Sequence, residues 1–154
     1  MVKRLLAVAA AAVTVTLLAV SSGAALPEST AARSGTQART TMYVGYLPIG
    51  WIEPSYSGRW NIYMDYQQVG YLRQSYSTKW NIYLGYRNVG YMRQSYSGRW
   101  SVYVSYLPVG YVRQSYGSRW NAYHNYLPIG YARGLGGHLA AGVIVALYDL
   151  GYVG

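Results

Sequence analysis

The sequence predicts an all-β fold of tandem antiparallel β-hairpins, about five copies of 20 residues, in a meander that closes into a barrel or stacks as a solenoid. Three observations predict it. Trp60, Trp80, Trp100 and Trp120 stand 20 residues apart, as do Tyr43, Tyr63, Tyr83, Tyr103 and Tyr123, and the glycines from Gly50 to Gly130. Within each copy, two runs rich in aromatic and β-branched residues flank turn-prone residues, which is the hairpin signature. Because the period is even, every copy presents the same face, giving one apolar ladder and one of Tyr, Arg and Ser.

The chain opens with Lys3 and Arg4, continues uncharged from Leu5 to Val20 and reaches small residues from Ser21 to Ala25. That order predicts a signal peptide over residues 1–25, and therefore a secreted or cell-surface protein. The competing reading is a retained membrane anchor, for which the stretch is slightly short. Residues 26–41 lack aromatic residues and apolar bulk and are expected to form a flexible linker. The repeat domain then covers residues 42–133.

Residues 134–154 begin with Gly134-Leu135-Gly136-Gly137 and continue as an apolar segment from Leu139 to Tyr148. They are expected to form a terminal strand or short helix that caps the last repeat, too short to cross a bilayer. The alternative is a membrane-inserting tail.

The chain has no cysteine, so packing or assembly must stabilise it, and the aromatic residues are expected to supply the core. Without Lys3 and Arg4, eleven basic residues face four acids, a formal +7. Such a balance favours anionic partners.

Turns are expected at Ser57-Gly58, Ser77-Thr78, Ser97-Gly98 and Gly117-Ser118. A second set is expected at Leu47-Pro48-Ile49-Gly50, Leu107-Pro108-Val109-Gly110 and Leu127-Pro128-Ile129-Gly130, with proline inside the turn. If Tyr96 faces Trp100, then Met92, Gln94, Tyr96, Trp100, Val102, Val104 and Tyr106 share the apolar face, and Tyr91, Arg93, Ser95, Ser101, Tyr103 and Ser105 the polar one. Trp80, Trp100 and Trp120 are then expected to be buried with Ile82, Val102 and Ala122, and Gln74, Gln94 and Gln114 need partners on the apolar side. On the polar face this register sets Arg73 opposite Tyr83, Arg93 opposite Tyr103 and Arg113 opposite Tyr123, with Tyr71, Tyr91 and Tyr111 alongside. These nine residues are the candidate ligand-binding set, since tyrosine offers a flat apolar ring with a hydroxyl and arginine a planar donor for phosphate or carboxylate. The competing reading of the same ladder is cross-strand packing.

Catalysis finds little support in the residue types. Beyond residue 41 the only carboxylates are Glu53, Asp65 and Asp149, and none recurs between copies. His124 falls in the column of Met64, Leu84 and Val104 and reads as a repeat variant; His138 sits in the glycine-rich stretch. No cofactor and no metal are expected.

The order Gly90-Tyr91, a polar stretch, Gly98-Arg99-Trp100 and Tyr103 resembles the aromatic 20-residue cell-wall-binding repeats of choline-binding and glucan-binding proteins, over residues 43–133. The resemblance implies hairpins stacked in a solenoid, with ligand held between neighbouring copies by Tyr71, Tyr91, Tyr111, Trp80, Trp100 and Trp120. The expected function is non-catalytic binding of a cell-wall or extracellular polysaccharide, of anionic character where the Arg column engages. The alternatives are a structural protein that self-associates through sheet edges, and a cationic toxin or antimicrobial acting at a membrane surface. Nucleic acid is not expected as a partner of an exported protein.

Overall fold

The computed structural model describes residues 38–154; the expected signal peptide and residues 26–37 of the expected linker lie outside them. Ten strands follow in order: β1 (Thr40–Val44), β2 (Leu47–Pro54), β3 (Arg59–Met64), β4 (Gln67–Tyr76), β5 (Lys79–Leu84), β6 (Arg87–Gln94), β7 (Trp100–Val104), β8 (Leu107–Gln114), β9 (Arg119–His124) and β10 (Leu127–Arg133). A helix, α1 (Gly137–Asp149), ends the chain. Each strand pairs antiparallel with its neighbours in sequence, and β1 pairs with β10, so the meander closes into a barrel and not a solenoid. Closure leaves no described strand with an open edge. Self-association would therefore have to use another surface. The linker boundary also moves, because Thr40 and Thr41 belong to β1 and pair with Ile52 and Trp51.

The inner wall has a period of ten residues, half that of the sequence repeat. Met42, Ile52, Ile62, Leu72, Ile82, Met92, Val102, Val112, Ala122 and Ala132 each take one strand, face inward and are at most 1 % exposed. This aliphatic column, rather than the tryptophans, is the main lining of the core. Trp60, Trp80, Trp100 and Trp120 do share its face, but only Trp100, at 6 % exposure, is buried; the other three are half-buried at one end of the barrel. Trp51 faces outward.

Ten strands enclose a wider lumen than side chains of this size fill, since eight already leave just enough room for them. The C-terminal segment supplies the missing volume. Buried residues lie all round α1, including Leu139, Val143, Ile144 and Leu147, as expected of a helix surrounded by core. It packs on β8, β9 and β10 and also reaches β1, β6 and β7. The lining is graded to receive it: Val112, Ala122 and Ala132 stand where the helix packs, and the larger Ile52, Ile62, Leu72 and Ile82 fill the side away from it. On its far face the helix presents Gly142, where an added Cβ would come within 2.7 Å of the Met92 sulfur. The expected cap of the last repeat is thus the central element of the whole barrel.

Both ends of α1 are fastened. At its start, Thr40 of β1 donates its hydroxyl to the Leu135 carbonyl, and His138 lies between Trp100 and Trp120, with ring centroids 4.8 and 5.4 Å away. At its end, His124 of β9 meets Asp149 at 2.9 Å. His124 is therefore an anchor for the helix and not merely a repeat variant.

The turns fall elsewhere than the prolines suggest. At the end of the barrel near Asp149, the connections are the residue pairs Gly45-Tyr46, Asp65-Tyr66, Gly85-Tyr86, Ser105-Tyr106 and Asn125-Tyr126. We call this the turn end, and the opposite one the loop end. Pro48 and Pro128 lie inside strands at bulges, where the register slips and no ladder donor is required of them. The glycine after each bulge faces the next strand at close range. A Cβ at Gly90 would sit 2.1 Å from the Tyr103 carbonyl oxygen, and Gly70 and Gly110 stand in the same relation to Tyr83 and Tyr123. The glycine column is a requirement of backbone contact.

At the loop end Gln94 pairs with Trp100 and Gln114 with Trp120, two residues out of step with the expected register. A slip of two preserves faces, so the separation of apolar and polar ladders stands while every cross-strand partner changes. The glutamines are exposed rather than internal; Gln74 and Gln114 donate to the Ser77 and Gly117 carbonyls of their own loops.

Candidate binding surface

The corrected register sets tyrosine opposite tyrosine on the outer wall. Tyr71 stacks on Tyr83, Tyr91 on Tyr103 and Tyr111 on Tyr123, at centroid separations of 4.6, 4.6 and 4.7 Å. Tyr43 and Tyr131 form a fourth pair and Trp51 and Tyr63 a fifth, which closes the belt around the barrel. The expected partners of these rings, Arg73, Arg93 and Arg113, instead oppose Asn81, Ser101 and Asn121.

The cations that cover the rings come from a different column, except that Arg133 also lies 5.4 Å over Tyr131. Arg59 lies 5.1 Å over Tyr71, Lys79 4.2 Å over Tyr91, Arg99 4.8 Å over Tyr111, Arg119 4.0 Å over Tyr131 and Arg39 5.0 Å over Trp51. Each belt unit is thus a cation, a ring and a second ring stacked in that order; in four of the five they stand twelve residues apart, as in Arg59, Tyr71 and Tyr83, and the fifth, Arg119, Tyr131 and Tyr43, spans the closure of β10 on β1. The first cation is a diagonal neighbour of its ring across the ladder, which is why the correct register is needed to see it. Such stacks contribute about 0.5–1.5 kcal/mol per ring pair and a similar amount per exposed cation. Tyr71, Tyr91 and Tyr111 have both faces occupied and present only an edge and a hydroxyl to solvent.

Open aromatic faces lie at the two ends. Tyr46, Tyr66, Tyr86, Tyr106 and Tyr126 ring the turn end, and Tyr56, Tyr76, Tyr96 and Tyr116 stand on the loops at the other; all are largely or wholly exposed. Tyr66, Tyr106 and Tyr126 occupy the second turn position at φ of 62°, 68° and 68°, where glycine or asparagine is the ordinary choice. Folding gains little from a large ring there.

Belt and turn tyrosines meet in three equivalent clefts. Each is lined by a cation (Lys79, Arg99 or Arg119), a short polar side chain two residues on (Asn81, Ser101 or Asn121), the covered ring (Tyr91, Tyr111 or Tyr131) and a turn tyrosine (Tyr106, Tyr126 or Tyr46). Their volumes are about 460, 190 and 240 Å³. A further cleft of about 360 Å³ at the loop end joins Arg113 and Tyr123 of the expected set with Tyr116 and Asn121. Of the expected residues, then, Tyr91, Tyr111, Arg113 and Tyr123 line clefts, Tyr71, Tyr83 and Tyr103 form stacked pairs, and Arg73 and Arg93 stand exposed beside the belt. Trp80, Trp100 and Trp120, which the resemblance nominated, face the core.

The two histidines are outside this surface. Burial lowers the pKa of His138 below its ordinary value, in keeping with its seat between two indoles. No cluster of metal-ligating side chains occurs among the described residues. The chain matches no known protein family, no curated protein and no solved structure.

Proposed function

We propose that the chain is a non-catalytic binding protein for an extended cell-wall or extracellular glycan, held along the outer clefts of the barrel. The observation that carries this reading is the threefold recurrence of one cleft whose turn tyrosine is exposed and, at Tyr106 and Tyr126, held at positive φ. A ring in that position is a strained and unrewarded choice for folding, and such outliers point toward a ligand. A tyrosine ring, an amide or hydroxyl and a cation side by side match the apolar face, hydroxyls and acidic groups of a sugar unit. Repetition adds to this, because linked weak contacts on one polymer gain avidity through effective concentration.

The test is co-sedimentation of the protein with purified cell wall, chitin, glucan and anionic vesicles. Retention on wall or on a soluble glycan is the expected result. Retention on vesicles alone would remove this reading and favour a membrane-directed protein.

A further inference from the structure

All of the described basic residues except Arg87 gather at the loop end, in a pattern that is unfavourable for the fold. The registers set Arg59 directly opposite Arg73, Lys79 opposite Arg93 and Arg119 opposite Arg133. Read one residue beyond Trp100 and Val112, the β7–β8 register brings Arg99 beside Arg113. Like charges directly opposed across a ladder are destabilising. No carboxylate neutralises them: among the described residues the only Lys or Arg that meets a carboxylate is Arg39, on Glu53. The other two described acids, Asp65 and Asp149, belong to the turn end, and Asp149 is engaged by His124.

In three of the pairs the members are differently held. Arg59, Lys79 and Arg99 rest on tyrosine rings, which fixes their position, whereas no ring holds their exposed partners Arg73, Arg93 and Arg113; in the fourth pair Arg119 and Arg133 both lie over Tyr131. A fixed and an adjustable cation on neighbouring strands form a clamp for one oxyanion, with guanidinium forks suited to two-point contact. Pairs recur every second strand, so adjacent clamps are about 10 Å apart around the barrel. The cleft of Arg113, Tyr116 and Tyr123 places a ring beside one of them.

Resting on the glycan reading above, we propose that these four cation pairs are anion subsites and that the bound glycan is a polyanion bearing repeated phosphodiester or carboxylate groups. Their charges are mutually repelling in the free protein and are neutralised by the ligand. Removing Arg73, Arg93 and Arg113, which no ring holds, therefore weakens binding without weakening the fold, the opposite of what a packing role would give.

The experiment measures affinity of the protein for polygalacturonate, poly(glycerol phosphate), an uncharged glucan and phosphatidylglycerol vesicles, for the parent and for the triple variant Arg73→Gln, Arg93→Gln, Arg113→Gln. The expected result is binding to one or both polyanions that weakens by about tenfold or more as NaCl rises from about 50 to about 500 mM. Which polyanion is bound tells phosphate from carboxylate. The triple variant is expected to lose about tenfold or more in that affinity and to melt at the same or a higher temperature. Glucan bound as tightly as either polyanion, independent of salt, would overturn the anion subsites and leave the glycan reading standing. Vesicle binding with neither polyanion nor glucan bound would remove both. Unchanged polyanion affinity in the variant, whatever its melting temperature, would also overturn the proposal.

Discussion

His124 on the barrel wall and Asp149 at the end of the enclosed helix meet side chain to side chain at 2.9 Å, both side chains partly exposed. The contact joins β9 to the last residue of α1 and holds the helix at the turn end. Leucine, the residue at the equivalent position 84, cannot replace it there. Replacing His124→Leu, Asp149→Asn and both together should give a coupling energy of about 1 kcal/mol in denaturant unfolding, the scale of a partly exposed hydrogen bond to a charged group. Additive effects would mean that the contact does not fasten the helix.

The graded lining makes core substitutions depend on which strand carries them. Ala132 stands where the helix packs, so Ala132→Leu should destabilise by overpacking, about 1–3 kcal/mol or more. On the side away from the helix, Ile62→Ala should cost about 2–5 kcal/mol through the cavity it leaves. Chemical denaturation of the two variants checks both. A tolerated leucine at position 132 would be incompatible with a helix in the lumen.

Acid should loosen the start of the helix. The pKa of His138 is lowered in the folded chain, so above the unfolded value of 6.5 both states are neutral and its stability contribution is complete. As pH falls below that value the unfolded chain takes up the proton first, and stability declines until the folded pKa is reached. The melting temperature should therefore fall as pH drops below about 6.5, and His138→Phe should reduce the slope. An identical slope in the variant would assign the acid sensitivity elsewhere.

Tyr106 is held at a φ of 68° after Ser105 at 48°, a two-residue turn whose second position favours glycine. Tyr106→Gly should raise stability by about 1 kcal/mol, the usual relief of a left-handed side chain. A lowered melting temperature would mean that the ring is part of the packing.

Much of this fold is legible in the residues, and the misreadings have definite causes. Faces follow from parity, so Trp100, Val102 and Met92 are assigned to the inside and Tyr91, Arg93 and Tyr103 to the outside under either register. Partners do not, because a shift of two residues is invisible to a pattern of period two. That shift hid the role of Arg59, Lys79, Arg99 and Arg119, although they form a column as regular as the tryptophans beside them. The prolines misled because a β-bulge accepts proline as readily as a turn does, and the Tyr of each true turn is an unusual occupant. The helix in the lumen had two signals that a local reading does not combine: the decline from Ile62 and Leu72 to Ala122 and Ala132, and an apolar C-terminal segment without a polar face.

The claim that the outer clefts bind a glycan is tested most directly by wall and glycan retention of Tyr106→Ser, Tyr126→Ser and the double variant, with melting followed in parallel. Both rings line clefts and are exposed, and Tyr126 makes only an edge contact with Tyr111 at 6.2 Å, so their loss should cost the fold no more than about 1 kcal/mol. The account predicts that each single variant binds slightly less well and that the double variant loses far more than either, because sites on one polymer act together. Retention equal to the parent in the double variant, whether or not its melting temperature falls, would contradict it.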